Sequence, residues 1–364
     1  MKLNFYFSKK LIYYFSIIFF VFFCFLTILS WIDILRLDLP ENISSGKLIY
    51  LALLKTPITV HPLIPIITLL TSLNFFINIS KNSELIIVRS AGRSILRAII
   101  FPLSTILLIG TFLVLVINPI NTLALKLYNS ELSLVSVNTS NFSINETGVW
   151  LREGNAAGQR VLHAKSVIDD GKKLRDVTIF EFNKYRIPIS RINSKLVSIT
   201  DNGWELMNGK IWKVNRTDRP EDRAKSFKSL MLDTELNIDK VRLGYGEPSK
   251  ISFWELNSYI KRIERAGFSS LKHRLYLHKE IALPLLMVGM FLIGGALNMG
   301  HSRMSNKSFK LLTTILMGIS AFLLNNLTQI LGENEAIPFI FAAWAPPTII
   351  IFIAIGLILH LEDG

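Results

Sequence analysis

Six stretches of about twenty mostly apolar residues leave few folds open to this chain, because a helix of about that length is what crosses the roughly 30 Å hydrocarbon core of a bilayer. They run from Leu11 to Ile32, Pro57 to Ile79, Ile95 to Ile117, Ile281 to Met299, Leu311 to Leu331 and Phe341 to Leu361. With half of its 364 residues hydrophobic and only 18% charged, the chain is too apolar for an ordinary soluble domain. The second run, PITVHPLIPIITLLTSLNFFINIS, opens on three prolines and a histidine, so its first turns are expected to be irregular. No small-residue cleavage site follows the first run, which reads as a retained anchor. The only cysteine, Cys24, lies inside that run, which sets aside disulfides, thiolate metal sites and cysteine catalysis together.

Lysine and arginine fix an expected orientation. Lys2, Lys9 and Lys10 precede the first run; Lys81, Arg89, Arg93 and Arg97 surround the link between the second and third; Arg303, Lys307 and Lys310 surround the link between the fourth and fifth. The opposite short loops hold Arg36, Lys47 and Lys55, so the positive-inside rule puts both termini in the cytoplasm. Residues from about 120 to 275 then lie on the far side, where the texture changes. VTIFEF, KLVSIT and WELMNGKIWKV alternate apolar and polar residues, as half-buried strands do. Asn208-Gly209 reads as a hairpin signal, and Asp169-Asp170-Gly171 and the segment from Gly154 to Gly158 as further turns. The expected fold is an α-helical membrane protein of six transmembrane helices with an inserted all-β domain, a sandwich or jelly-roll. A helix follows, with Ser252 and Glu255 as a capping box and Gly267 at its stop.

No catalytic constellation emerges. The chain has no Walker-type phosphate loop, no His-x-x-x-His metal pair on an expected helix and no nucleophile elbow, so catalytic and metal residues are expected to be none. His163, Asp169 and Asp170 are close in sequence but read as strand and turn surface. Residues 120 to 275 hold 26 Lys plus Arg against 18 Asp plus Glu, a net charge of +8 that fits either an anion site or a solvated basic surface. Nucleic acid is not an expected partner on that face. Within the runs, Asn74, Asn78, Asn325, Asn326 and Gln329 suit interhelical hydrogen bonds rather than an ion relay. Gly289, Gly294, Gly295, Ala296 and Gly300 mark a face for close helix approach, either for assembly or inside the monomer.

Between the second and third runs lies SELIIVRSAGRS, residues 83 to 94. With Asn82 or Ser83 as cap, Glu84 meets the positive end of a helix dipole, Leu85, Val88, Gly92 and Ile95 share one face, and Arg89, Arg93 and Arg97 form a basic stripe. Two readings of that pattern stand: an amphipathic helix on anionic lipid, or a coupling helix docking into a motor subunit.

Along nearly its whole length the chain resembles the LptF/LptG permeases of lipopolysaccharide export. The residues that carry the resemblance are SELIIVRSAG, Asn118-Pro119 at the end of the third run, GVWLREG at 148 to 154, ISFWEL with its helix to Gly267, HKEIALPL and AIPFIFAAWAPP. The FWEL helix and the AAWAPP ending are more similar to the family's LptG branch than to its LptF branch. The resemblance implies a permease subunit of an ABC transporter that extracts lipopolysaccharide from the inner membrane and passes it to a periplasmic bridge toward the outer membrane. It implies an LptF-type permease as heterodimer partner, an LptB ATPase dimer and LptC, with ATP and Mg bound by the ATPase and no cofactor in this chain. By the same resemblance, residues 1–119 hold three transmembrane helices and the coupling helix at about 83–94. Residues 120–250 are then a periplasmic β-jelly-roll, 251–278 a connecting helix, and 279–364 three further transmembrane helices. Glu84, Leu85, Arg89, Ala91 and Gly92 are the implied contacts to the ATPase, and Arg36 and Lys126 the implied contacts to lipid A phosphates. Ile58 and Asn129 stand where some members carry bases. Snorkelling at the interface is the alternative for Arg36 and Lys126, and a membrane-anchored periplasmic scaffold is the alternative to transport.

Overall fold

The structure, a computed structural model, describes residues 2–37, 43–82, 84, 95–135, 142–145, 148–155, 158–168, 172–183, 187–200, 203–213, 224–232, 247–265, 268–296, 298 and 307–363. It divides into two compact units, one of residues 1–135, 252–254 and 274–364, the other of 136–251 and 255–273.

Among the described residues of the first unit, six helical stretches are long and apolar enough to cross a membrane. Helix α1, Lys2–Leu35, is unbroken over 34 residues. At 1.5 Å per residue it is about 50 Å long, more than lipid alone requires. The second stretch starts at Ser45, twelve residues before the run read from sequence, and has the expected irregularity in its middle. Helix α2, Ser45–Val60, gives way to a 3-10 turn at His61–Leu63 before α3, Ile64–Lys81. The prolines account for this, since Pro62 and Pro65 have no N–H to return to the preceding turn.

The third stretch corrects an expectation. Asn118-Pro119 does not end it: α4, Ile95–Phe112, passes through a π-turn at Leu113–Ile117 and continues as α5, Asn118–Val135. Pro119 cannot donate to the carbonyl of Leu115, four residues back, and that carbonyl instead accepts from the indole N–H of Trp254 at 3.0 Å. The extra residue of the π-turn absorbs the proline's bulk, so the helix continues where the sequence suggested a stop.

Among the described residues of the second unit, seven strands form one antiparallel sheet in sequence order. They are β1 Phe142–Asn145, β2 Gly148–Asn155, β3 Gly158–Ile168, β4 Lys173–Asn183, β5 Pro188–Thr200, β6 Gly203–Lys213 and β7 Lys225–Leu232. This is the inserted all-β domain, with its described strands running as a meander. Its core joins Val149, Leu162, Ile179, Ile192, Val197, Trp204 and Leu206 with Ile263 and Phe268 from the segment after the sheet. Each such fully buried aliphatic side chain is worth about 1.5–3 kcal/mol.

In β3, β4 and β5 the buried positions step by two except at one line, where they step by three: Ala164 to Val167, Leu174 to Val177, Ser194 to Val197. Asp176 and Asn208 sit on that line with φ of 50° and 52°, so a crease crosses the sheet. Asn208-Gly209 therefore lies inside β6 and turns no hairpin. One left-handed residue makes a crease, whereas a type I′ turn needs two. The chain reverses between Thr200 and its cross-strand partner Gly203, whose φ is 122°. Gly209 is required for another reason: a Cβ there would collide with the Phe227 ring and the Asn193 carbonyl.

Helix α6, Phe253–Arg265, begins directly after Ser252 with Glu255 in its first turn. The last three long helices are α7 Leu271–Ala296, α8 Lys307–Glu333 and α9 Phe339–Asp363. The small residues of α7 serve packing inside the chain. A Cβ on Gly289 would stand 2.7 Å from Ile350 of α9, and one on Gly294 would strike Ser72 of α3. Because lipid removes the hydrophobic drive between helices, such close backbone approach is what holds α3, α7 and α9 together.

Candidate functional site

Chemistry-bearing residues of the first unit gather in three places. The first is around Glu84. Its Oε1 accepts from Lys10 Nζ at 2.7 Å, from Tyr6 at 3.1 Å and from Asn82 at 3.4 Å. The side chain is 17% exposed and Oε2 is buried with no partner among the described residues. Glu84 is thus held by α1. Leu85, Arg89, Ala91 and Gly92 lie outside the described residues, as do Arg93 and the side chain of Arg97.

The second place is the opposite end of the first three stretches. Arg36 follows the last turn of α1, exposed, its N–H donating to the Asp33 carbonyl at 3.3 Å. Lys126 is exposed on α5, next to buried Leu125. The elements carrying them meet in one cluster of Ile34, Leu51, Ala52, Leu125 and Tyr128. Ion pairs Lys55–Asp33 at 3.2 Å and Lys47–Glu131 at 3.3 Å rim that cluster. At such exposure each pair contributes about 0–1 kcal/mol, so the apolar contacts decide the packing.

The third place was missed in the sequence. Glu280 of α7 is 3% exposed, inside a candidate span that starts at Leu271 rather than at Ile281. His61 Nε2 lies 2.8 Å from its Oε1, Asn118 Nδ2 donates to its Oε2 at 3.3 Å, and the Tyr276 hydroxyl is hydrogen-bonded to it. Asn118 also donates to the Tyr276 oxygen at 3.4 Å, and its Oδ1 accepts from the Phe253 N–H at 3.0 Å. Next along α7, Lys279 donates to Gln329 of α8, which donates to Glu333 at 2.8 Å, and the Trp344 indole reaches His278 at 3.2 Å. The signal was present in HKEIALPL. Its charged start ended the apolar count early, so the carboxylate was placed outside the membrane.

In the second unit the His163 ring packs at a tilt of 39° against its cross-strand neighbour Trp150, 4.4 Å between ring centres, the position of a packed strand residue; Asp169 and Asp170 lie outside the described residues. No group of three or more metal-ligating side chains occurs among the described residues.

Six long apolar helices with an antiparallel sheet inserted after the third define a polytopic membrane protein whose conspicuous polar residues join helices to one another. The sequence matches the family "Lipopolysaccharide export system permease LptF/LptG" over residues 5–360, and the chain belongs to that family. It is an inner-membrane permease of lipopolysaccharide export. One relative, the lipopolysaccharide export system permease protein LptG of Haemophilus influenzae, is 23% identical over 317 residues, 85% of this chain and 85% of the relative.

Proposed function

We propose that the chain is the LptG-type permease subunit of an ABC transporter that extracts lipopolysaccharide from the inner membrane and passes it to the periplasmic bridge toward the outer membrane. The observation that carries this is the family match along nearly the whole chain, joined to a relative named LptG that is covered to 85%. The chain pairs with an LptF-type permease, docks an LptB ATPase dimer through the cytoplasmic segment that starts at Glu84, and hands lipid on with LptC. ATP and Mg stay with the ATPase, and this chain needs no cofactor. Both termini are cytoplasmic and the sheet is periplasmic, following the distribution of lysine and arginine. Arg36 and Lys126 face the lipid A phosphates, where partial exclusion of water strengthens paired cations.

The test is copurification. Extracted in mild detergent from cells that express the other export components, the tagged chain is expected to retain a nucleotide-binding subunit and an LptF-type partner. A chain recovered free of any ATPase under those conditions contradicts the transporter reading and favours a scaffold. Recovery with an LptG-type partner instead makes this chain the LptF-type paralogue.

A further inference from the structure

Two helix breaks in the first unit, the 3-10 turn at His61–Leu63 and the π-turn at Leu113–Ile117, end on the same carboxylate. His61 opens the first break and Asn118 closes the second, and both bind Glu280. The apolar packing divides along the same line. On one side α2 and α5 share the cluster of Leu51, Ala52, Leu125 and Tyr128 with the end of α1. On the other, α3 and α4 pack with α7 in a separate cluster that includes Ile67, Phe76, Ile106, Met287 and Phe291. The breaks thus lie between two apolar clusters, both of which the unbroken α1 also enters, and the cluster shared by α2 and α5 lies beside Lys126 and the turn bearing Arg36.

We propose that Glu280 is a positioning residue for lipid binding: by holding both breaks at once it sets the bend of the second and third stretches, and so the placement of Arg36 and Lys126. Helix interiors seldom leave α geometry without cause, and π-turns and mid-helix 3-10 turns concentrate at functional places. An ionisable side chain at membrane depth is retained where it does specific work with a named partner. Asn118 cannot flip to suit a different neighbour, because its Oδ1 already holds the Phe253 N–H. A glutamine at 280 can accept from Asn118 and donate to a neutral His61 ring, so Glu280→Gln keeps both bonds; Glu280→Leu keeps neither.

This inference rests on the export reading, and the experiment separates the two. In a Cys24→Ser background, spin labels at exposed positions 100 and 127, on either side of the π-turn, report the bend in lipid-free micelles. Glu280→Leu is expected to move or broaden that distance, and Glu280→Gln to restore it. In the assembled complex, Glu280→Leu is expected to raise the lipopolysaccharide concentration that half-saturates ATPase stimulation by on the order of tenfold to a hundredfold. The maximal stimulation should be retained. Unchanged label distances overturn the proposal, as does a fall in maximal stimulation with the half-saturating concentration unmoved. If Glu280→Leu fails to insert, Asn118→Ala is measured in the same way against the same outcomes. If the wild type gives no response to lipopolysaccharide, the export reading fails, and the label distances still decide whether Glu280 sets the bend.

Discussion

Glu84→Ala is expected to lower ATP-driven lipid export at least tenfold while the six spans remain inserted. The carboxylate is already held by Lys10 at 2.7 Å and Tyr6 at 3.1 Å, so the substitution removes an internal tie to α1 as well as an acid available to a partner. Oε1 carries the internal bonds, and Oε2 is buried without a partner among the described residues. Losing one side of a buried, hydrogen-bonded charge contact costs about 2–5 kcal/mol, which exceeds tenfold in affinity. Lys10→Met removes the shortest of the internal bonds and leaves the acid. If Glu84 docks the ATPase, Glu84→Ala impairs copurification and ATPase stimulation more than Lys10→Met does. Equal losses in both variants would reduce Glu84 to an internal brace, and full copurification with full stimulation in Glu84→Ala would remove the coupling role.

Glu280→Leu is expected to destabilise the membrane unit by about 3–5 kcal/mol, because removing one partner of a buried ionisable pair leaves the other desolvated. His61, with Nε2 committed to Glu280 and Nδ1 already without a partner, would then be a buried ring with neither nitrogen satisfied. The double variant Glu280→Leu, His61→Leu is expected to recover a large part of the loss, since replacing both partners by apolar groups costs less than orphaning one. Recovery stays incomplete, because Asn118 and Tyr276 also lose an acceptor. Thermal unfolding in one detergent, compared across the two single variants and the double, measures this. A double variant as unstable as the sum of the singles would mean that the two side chains do not act as a pair.

The spans were legible because about twenty apolar residues in a row have one physical use, and the sheet because alternation with period two survives in β4 to β6. What the sequence hid has a physical cause in each case. Asn118-Pro119 looked like a helix stop because a proline removes an N–H, yet here Trp254, far along the chain, satisfies the carbonyl that is left over. Asn208-Gly209 looked like a turn because asparagine tolerates left-handed φ, yet a single such residue creases a strand instead of reversing it. Glu280 was passed over because a carboxylate beside a lysine reads as solvated, and only the placement of His61 and Asn118 from two other stretches shows that it is not. The assignment of Arg36 and Lys126 to lipid rests on the family resemblance alone, as single cations beside apolar runs carry no pattern of their own in the sequence.

Lipopolysaccharide is expected to meet this chain at the end of the spans that carries Arg36 and Lys126. Photoreactive residues installed at positions 36 and 126 of the chain, in the assembled complex in proteoliposomes that contain lipopolysaccharide, should both crosslink to the lipid, with the yield falling when ATP is added and lipid moves on. Absence of crosslinking at both positions, together with normal export by the Arg36→Ala, Lys126→Ala double variant, would contradict the assignment of these residues to the lipid headgroup.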